Sequence, residues 1–471
     1  MDVVLGCPFP RPYGIDLGLG YLATALRRNG LAVEIEDLCR PFSSPKSFAA
    51  KVAVSRPKVV GFKVWTPALG LVRKYVRAVR EAVPGVQLIV GGPHVTAVGR
   101  GVFEDISSGG IDYAFRGEAE EGLPVLVREV LRGKSPRKNV LQGIPGLIWR
   151  DEGRVRSNSQ SFVENLDDLG SPAWDLFDFD RYHNLKSYSL SRGGTSGISW
   201  FHVQATRGCP NHCTYCLAPR LAGSRLRKHS PGVLASQLEN LRKSHGVTHV
   251  AFADDNLTQD REYALSLFSK IGGTGVSWDC TSNGVDFRTI DRELVKAMIS
   301  AGCTAITFGV ESGSEHVLKL MNRNYSPKDV KRAIREVRAA GNLWLESFFI
   351  IGFPGETSRD ILDTLHLVAT LDVDQANFNL FTPWPGIPIT RKLQREGKLS
   401  EVLPSQAWYE KPTKYKGSLS PWQQGLYFVG AHVVFYSRPS RLLRILHKLG
   451  LKGVIVGVDL VLLNVFLKAR D

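Results

Sequence analysis

The sequence predicts an α/β protein: an N-terminal doubly wound parallel sheet, then a partial (β/α)6 barrel, then a C-terminal helical region. Three observations predict it. Short apolar runs alternate strictly with amphipathic stretches from residue 1 to about 135. The pattern lapses between about 140 and 200, and it resumes near 202 for six strand–helix units. Strict alternation favours parallel strands joined by helical crossovers, and six units fall short of the eight that close a barrel. The chain therefore divides at 1–140, 141–200, 201–390 and 391–471. A length of 471 residues suits about two or three domains, and 43% apolar with 22% charged residues describes globular material.

In the first domain "MDVVLGC", "LAVEIED", "KVVGFKV", "VQLIVGG" and "IDYAFRG" read as strands. Between them "LGLGYLATALRRNG", "ALGLVRKYVRAVREAVPG" and "EEGLPVLVREVLRG" have helical spacing and end in glycine. Sheets of this kind bind ligands at the carboxyl ends of their strands. Here those ends carry "GCPFPRPYG", "KVWTP" and "GGPHVT", which places Thr66, Gly91, Gly92 and His94 among the candidate ligand-binding residues. The first loop is not GxGxxG, which argues against a nicotinamide or flavin. Next, "GLIWRDEGRVRSN" reads as a hairpin turning at Asp151 to Gly153, and the stretch up to "SRGGTSG" as an irregular linker.

The second domain offers the strands "HVQATRG", "THVAFADD", "SWDCTSN", "AITFGVES", "WLESFFIIGFP" and "QANFNLFTP". "PGVLASQLENLRKSHG", "DRELVKAMISAG", "SPKDVKRAIREVRAAG" and "SRDILDTLHLVATL" are the helices among them. Directly after the first strand comes "RGCPNHCTYC", with Cys209, Cys213 and Cys216 in one loop. Seven cysteines, an odd number thinly spread, argue against a disulfide framework and for a reducing cytoplasm. Three thiolates from one loop can grip one side of an iron–sulfur cluster. A structural zinc site would need a fourth ligand, with His212, His202 or His229 nearby, and "CTYC" alone could be a thioredoxin-like pair. An iron–sulfur cluster best explains why the trio opens a barrel.

The spacing CxxxCxxC with Tyr215 before the last cysteine resembles the radical S-adenosylmethionine superfamily. The resemblance runs over roughly residues 202 to 390. "VAFADDN" matches the polar contacts to the methionine end, which implies roles for Asp254 and Asp255. "ITFGVESGSEHVLKLMNR" is similar to the fourth-strand segment, with Glu311 and Ser312 facing the ribose or methionyl part. "FFIIGFPGET" resembles the glycine motif at the adenine, bringing in Gly352, and "NLFTPWPGIP" the sixth-strand end, bringing in Phe381. The resemblance implies a [4Fe-4S] cluster on the three cysteines and S-adenosylmethionine on its open iron. It also implies a flavodoxin or ferredoxin type electron donor. Reductive cleavage would then yield a radical that takes hydrogen from an unactivated carbon. Where relatives often carry an arginine after the third strand, this chain has "SNGVDF", with Ser282 and Asn283.

The first domain resembles the subclass with an N-terminal cobalamin-binding domain, through "GGPHVTA", "DYAFRGEAEEGL" and their spacing from "FKVWTP". It lacks the DxHxxG signature, and no histidine precedes His94. The resemblance therefore implies cobalamin held by loops, with Thr66, Gly91, Gly92 and His94 near it. The activity so implied is cobalamin-dependent C-methylation of a small-molecule or lipid-like substrate in a biosynthetic pathway. The alternative is a cobalamin-independent radical dehydratase, cyclase or rearrangement enzyme. No substrate-side acid or base is identified; Asp286, Glu346 and Tyr409 carry no signature.

After about 390, "SPWQQGLYFVGAHVVFYSR" and "PSRLLRILHKLGLKGVIVGVDLVLLNVFLKARD" read as helices. Arg438, Arg441, Arg444, His447, Lys448 and Lys452 crowd the start of an apolar run over 453–467. That run is shorter than the roughly 20 residues that span a bilayer, and Asp459 interrupts it. It reads either as a helix packed on the barrel or as one lying on an anionic membrane surface. The second reading suits the net charge of +15. The basic residues form no single run and no nucleic-acid motif, so no nucleic-acid partner is expected.

Overall fold

Apolar strand cores alternate with amphipathic helices through most of the chain. The computed structural model describes residues 1–9, 14–39, 43–107, 110–183, 201–399, 415, 417 and 419–447, with 282 and 283 described by backbone alone. Tyr409, Lys448, Lys452, the run 453–467 and the linker stretch "SRGGTSG" lie outside the described residues.

The first sheet contains β1 (Val3–Gly6), β2 (Val33–Glu36), β3 (Val59–Lys63), β4 (Gln87–Gly91) and β5 (Tyr113–Phe115). These are parallel, in the order β2-β1-β3-β4-β5. The order reverses at β1, so the carboxyl ends of β1 and β3 flank a natural crevice. The sheet extends antiparallel through a hairpin, β6 (Leu147–Asp151) and β7 (Arg154–Ser157), with Phe115 opposite Leu147. The hairpin was expected in the linker. It joins the sheet because Leu147, Ile148 and Trp149 are buried and continue its core. The helices that went unpredicted include Pro45–Ser55, which starts on a Ser44–Ser47 capping box, and Pro93–Val98, which occupies the stretch read as the "GGPHVT" loop.

In the second domain the stretch "HVQATRG" is two strands, not one. β8 (His202–Val203) edges the main sheet, while β9 (Thr206–Arg207) turns out of it to pair antiparallel with β10 (Arg227–Lys228). The remaining strands are β11 (His249–Phe252), β12 (Ser277–Val285), β13 (Cys303–Glu311), β14 (Trp344–Ile351) and β15 (Gln375–Leu380). All six strands of the order β15-β14-β13-β12-β11-β8 are parallel, which makes an open barrel. Its core is almost wholly apolar, with Phe252 and Phe268 packed on Trp278.

The helix Pro421–Tyr436 closes the barrel beside β14 and β15, where the Tyr436 hydroxyl donates to the Ala376 carbonyl at 3.3 Å. The C-terminal basic cluster is partly internal. Arg441 is fully buried and donates to the carbonyls of Phe435, Val368 and Leu371. Arg444 pairs with Asp372 at 2.8 Å. Among the described residues no helix is long and apolar enough to cross a membrane.

Candidate active site between the two sheets

The cysteine loop is anchored before it begins. The Asp254 carboxylate, from the end of β11, accepts hydrogen bonds from the backbone N–H groups of Ala205 and Thr206 and from the Thr206 hydroxyl. Burial pushes its pKa up to about 7 against those hydrogen bonds. Asp254, expected at the methionine end of the cofactor, thus points back into the loop root. Gly208 follows at φ +91°, where any Cβ would collide with the Arg225 carbonyl. Thr214 then fixes the loop: its N–H donates to Met321 O (3.0 Å), its hydroxyl to Leu320 O (3.0 Å), and its carbonyl accepts from Ile389 N–H (2.9 Å).

With the loop backbone held by others, the Cys213 sulfur accepts from Arg323 and the Cys216 sulfur from the Ala218 N–H. Cys209 and Cys213 are buried, Cys216 is half-buried, and all three are free thiols. Burial raises the pKa of the Cys209 thiol and pushes that of Cys216 up to about 12. His212 engages Asn322 through its carbonyl, and the His229 ring is taken by Asp167 and Tyr21. Among the described residues no three His, Cys, Asp or Glu side chains converge on one metal-ion position. The three thiols of one loop are the donor set a cluster with one open iron would need, whereas a structural zinc would need a fourth ligand.

Glu311 closes the opposite side at the end of β13. It sits at φ +60°, an unusual conformation for a residue with a Cβ, and its buried carboxylate accepts from the Tyr215 hydroxyl at 2.8 Å. Burial raises its pKa, opposed by Arg323 and Tyr215. Arg323 is the residue that sequence reasoning missed. Its Nη1 donates to the Cys213 sulfur at 3.3 Å and its Nη2 to Gly309 O at 3.1 Å. Its guanidinium lies over the Tyr325 ring at 4.8 Å. The signal was present as the last letter of "ITFGVESGSEHVLKLMNR", without a partner to give it meaning.

The other expected residues divide. Gly352, at φ +80°, presents its carbonyl to the Tyr415 hydroxyl. Phe381 packs edge-on against Phe353 and Tyr415, and Phe353 in turn meets Tyr215 edge-on. Tyr215, Gly352 and Phe381 thus gather around one apolar patch. Ser312 does not join them; its buried hydroxyl pairs with that of Thr364 and accepts from Ser314 N–H.

A cavity of about 640 Å³ lies between the two sheets. The carboxyl ends of β3 and β4 line it through Lys63, Gly91 and Gly92, and the barrel through His202, Gln204 and Asp255. Asp255 borders both features, since it lines the cavity and lies close enough to Cys209 and Cys216 to raise their pKa. Burial pushes its own pKa up to about 6. Gly92, at φ +98°, has Lys63 and Val64 where a Cβ would stand, and with Gly91 it brings backbone to the cavity wall beside the apolar side chains of Phe62, Trp65 and Phe115. Thr66 and His94 do not line it. The His94 ring is buried between Thr66 Oγ1 and Asp105 Oδ2, both at 3.0 Å.

The domains are locked beside the cavity by a buried ion network. Arg207 pairs with Glu120 at 2.8 Å and Glu118 at 3.3 Å, and Arg227 pairs with Glu118 at 2.6 Å. Arg207 also leads directly into the cysteine loop, so the first domain holds the root of that loop.

Comparison with known proteins agrees with this geometry. Residues 203–368 match the model of the radical SAM superfamily, and residues 10–127 match the B12 binding domain. The chain is 28% identical to an uncharacterized methyltransferase of Pyrococcus horikoshii, over 92% of this chain and 90% of that protein. It is 26% identical to the cytidylyl-2-hydroxyethylphosphonate methyltransferase of Streptomyces wedmorensis, covering 83% and 79%. The fold resembles the radical S-adenosylmethionine methyltransferase TsrM from Kitasatospora setae with tryptophan and a cofactor analogue bound. That TM-score is 0.69 at 18% identity, covering 93% and 89%. It also resembles the cobalamin-dependent radical enzyme OxsB with aqua-cobalamin and S-adenosylmethionine bound, with a TM-score of 0.71 at 16% identity, covering 98% and 72%.

Proposed function

We propose, for a chain that belongs to the radical SAM superfamily and carries a B12 binding domain ahead of its barrel, that it catalyses cobalamin-dependent radical methylation of an unactivated carbon. One observation carries this reading: the strand ends of both domains line one cavity, and Arg207, two residues before Cys209, is part of its wall. When bound, the cluster supplies the electron that splits S-adenosylmethionine, and the corrinoid supplies a methyl group to the substrate carbon. Cys209, Cys213 and Cys216 would hold the cluster, and the Arg323 guanidinium donates to one of their sulfurs. Tyr215, Glu311, Gly352 and Phe381 would bind S-adenosylmethionine, with Tyr215 fixing the Glu311 carboxylate. Gly91 and Gly92, which line the cavity, would lie beside the corrin.

The substrate is a small or lipid-like molecule, and the setting is the reducing cytoplasm. Exposed Trp422, Leu426 and Val433 on the last described long helix support contact with a lipid surface. The test is anaerobic reconstitution with iron, sulfide and hydroxocobalamin. The wild type is expected to retain corrinoid and, with dithionite, to release 5′-deoxyadenosine from S-adenosylmethionine. Alanine at any of the three cysteines is expected to abolish that release. Undiminished release from such a variant would sink the cluster assignment, and failure to retain hydroxocobalamin would sink the methyltransferase reading.

A further inference from the structure

Arginines from three separate elements meet at the rim of the interdomain cavity. Arg116 follows β5, between Phe115 and Gly117, and both of those residues line the cavity. Arg220 lies on the short helix Ala218–Ala222 behind the cysteine loop, next to Leu221 and Ala222, which line the cavity from the barrel side. Arg391 lies on the helix Pro388–Arg395, beyond the end of β15. Gln160 ties the first two together. It packs at 3.4 Å against the place a Cβ would take on Gly117, and its Nε2 donates to the Arg220 carbonyl at 3.0 Å. Arg220 Nη1 donates to the Gly386 carbonyl at 2.6 Å, just ahead of the helix that carries Arg391, and Gly386 itself abuts Ala97 of the first domain. Burial lowers the Arg220 pKa, and the charges of Arg391 and Arg116 lower it further.

Among the described residues nothing balances this charge. The Arg116 and Arg391 side chains form no hydrogen bond and no ion pair there, and Arg116 Nε is buried. Arg220 has only the neutral Gly386 carbonyl. The acids on the adjoining stretches are engaged elsewhere: Glu118 and Glu120 with Arg207 and Arg227, Glu164 with Arg225, and Glu121 with the Ser161 hydroxyl. Like charges gathered away from bulk water repel, and a buried N–H without an acceptor is unfavourable. An anion with several acceptor oxygens relieves both costs at once. The guanidinium fork matches phosphate oxygens in pairs, and three such groups suit the charge of about −1.5 to −2 on a phosphate monoester at pH 7 better than the single charge of a carboxylate.

We infer that Arg116, Arg220 and Arg391 hold a phosphate group at the mouth of the interdomain cavity. The inference rests on the proposed methylation and deepens it by naming the substrate class. That class is a phosphorylated small molecule, whose phosphate stays at the rim while its reacting carbon enters the chamber. The nucleotide phosphodiester of a bound cobalamin offers the same chemistry. A diester carries one charge only, so the count of arginines favours the substrate.

The experiment uses the full chain, reconstituted anaerobically with iron, sulfide and hydroxocobalamin, and inorganic phosphate as the probe. Wild type, the double variant R116Q/R391Q and Arg220→Lys are titrated calorimetrically at fixed ionic strength. The wild type is expected to bind phosphate with the corrinoid in place, and the double variant at least about tenfold more weakly. Arg220→Lys, which keeps the charge and loses the fork, is also expected to bind phosphate more weakly, with iron content unchanged in both variants. Loading with cobinamide, which lacks the nucleotide phosphate, separates the two sources. Phosphate binding confined to corrinoid-free or cobinamide-loaded protein, with loss of cobalamin preference in the double variant, would support the site and overturn the substrate assignment. Equal phosphate affinity in wild type and double variant would overturn the site. Absence of 5′-deoxyadenosine release from the wild type would count against the proposed activity, and the titration would still decide the arginines.

Discussion

Glu356 is held in its acid form by where it sits. One of its oxygens accepts from the N–H groups of Gly352 (2.6 Å) and Phe353 (3.1 Å), closing the glycine turn after β14. The other oxygen is buried with no hydrogen-bond partner. Burial dominates, and the pKa rises to about 8. The folded protein therefore binds this proton more tightly than the unfolded chain does. The resulting stabilisation is full below the unfolded value of about 4.3 and is lost as pH rises through 8. We expect Glu356→Gln to remove that loss. Thermal unfolding of both proteins from pH 5 to pH 8 checks this, with the wild type losing on the order of 1–4 kcal/mol relative to the variant. A difference that stays constant across the range would show that the carboxyl does not titrate there.

Among the elements, the β9–β10 hairpin does most to join structure to chemistry, because it carries Arg207 and Arg227 into the first domain. Removing one partner of a buried ion pair leaves an uncompensated charge and costs about 3–5 kcal/mol, whereas an exposed pair contributes about 0–1 kcal/mol. Glu118→Gln is expected to fall in the first class, since both arginines bond to it. Glu164→Gln, which removes the exposed pair with Arg225, is expected to fall in the second. Urea unfolding separates them, and iron content after reconstitution should drop for Glu118→Gln alone. The strands themselves were legible, because runs such as "VQLIVGG" and "WLESFFIIGFP" are apolar enough to declare themselves. The break between β8 and β9 was not, since it depends on Asp254 reaching back 48 residues to Thr206. In the same way Asp254 and Asp255 are adjacent letters, yet one braces the loop and the other lines the cavity. Arg323 and His94 both take their surroundings from distant packing. The arginine acquires its role from a sulfur 110 positions away, and the histidine is absorbed by Thr66 and Asp105. Cysteine spacing is local and could be read; side-chain direction is set by the packed sheets and could not.

At the scale of the whole molecule, the cavity belongs to neither domain. Its floor is the carboxyl edge of the first sheet and its roof the carboxyl edge of the barrel, with Ala119 on one wall and Ala253 on the other. A ligand that fills such a space contacts both sheets, so obstruction from either side should expel it. We therefore expect Ala119→Phe and Ala253→Phe each to lower retention of hydroxocobalamin at least about tenfold, which corresponds to about 1.4 kcal/mol of lost binding. Neither change touches the cysteines, so iron content after reconstitution should match the wild type. Absorbance of the corrinoid after anaerobic gel filtration reads the first quantity, and iron analysis the second. Loss of corrinoid from Ala119→Phe alone would mean that the first domain binds it unaided. The two-walled cavity would then be an accident of packing, and the argument that the domain junction is the reaction chamber would fail with it.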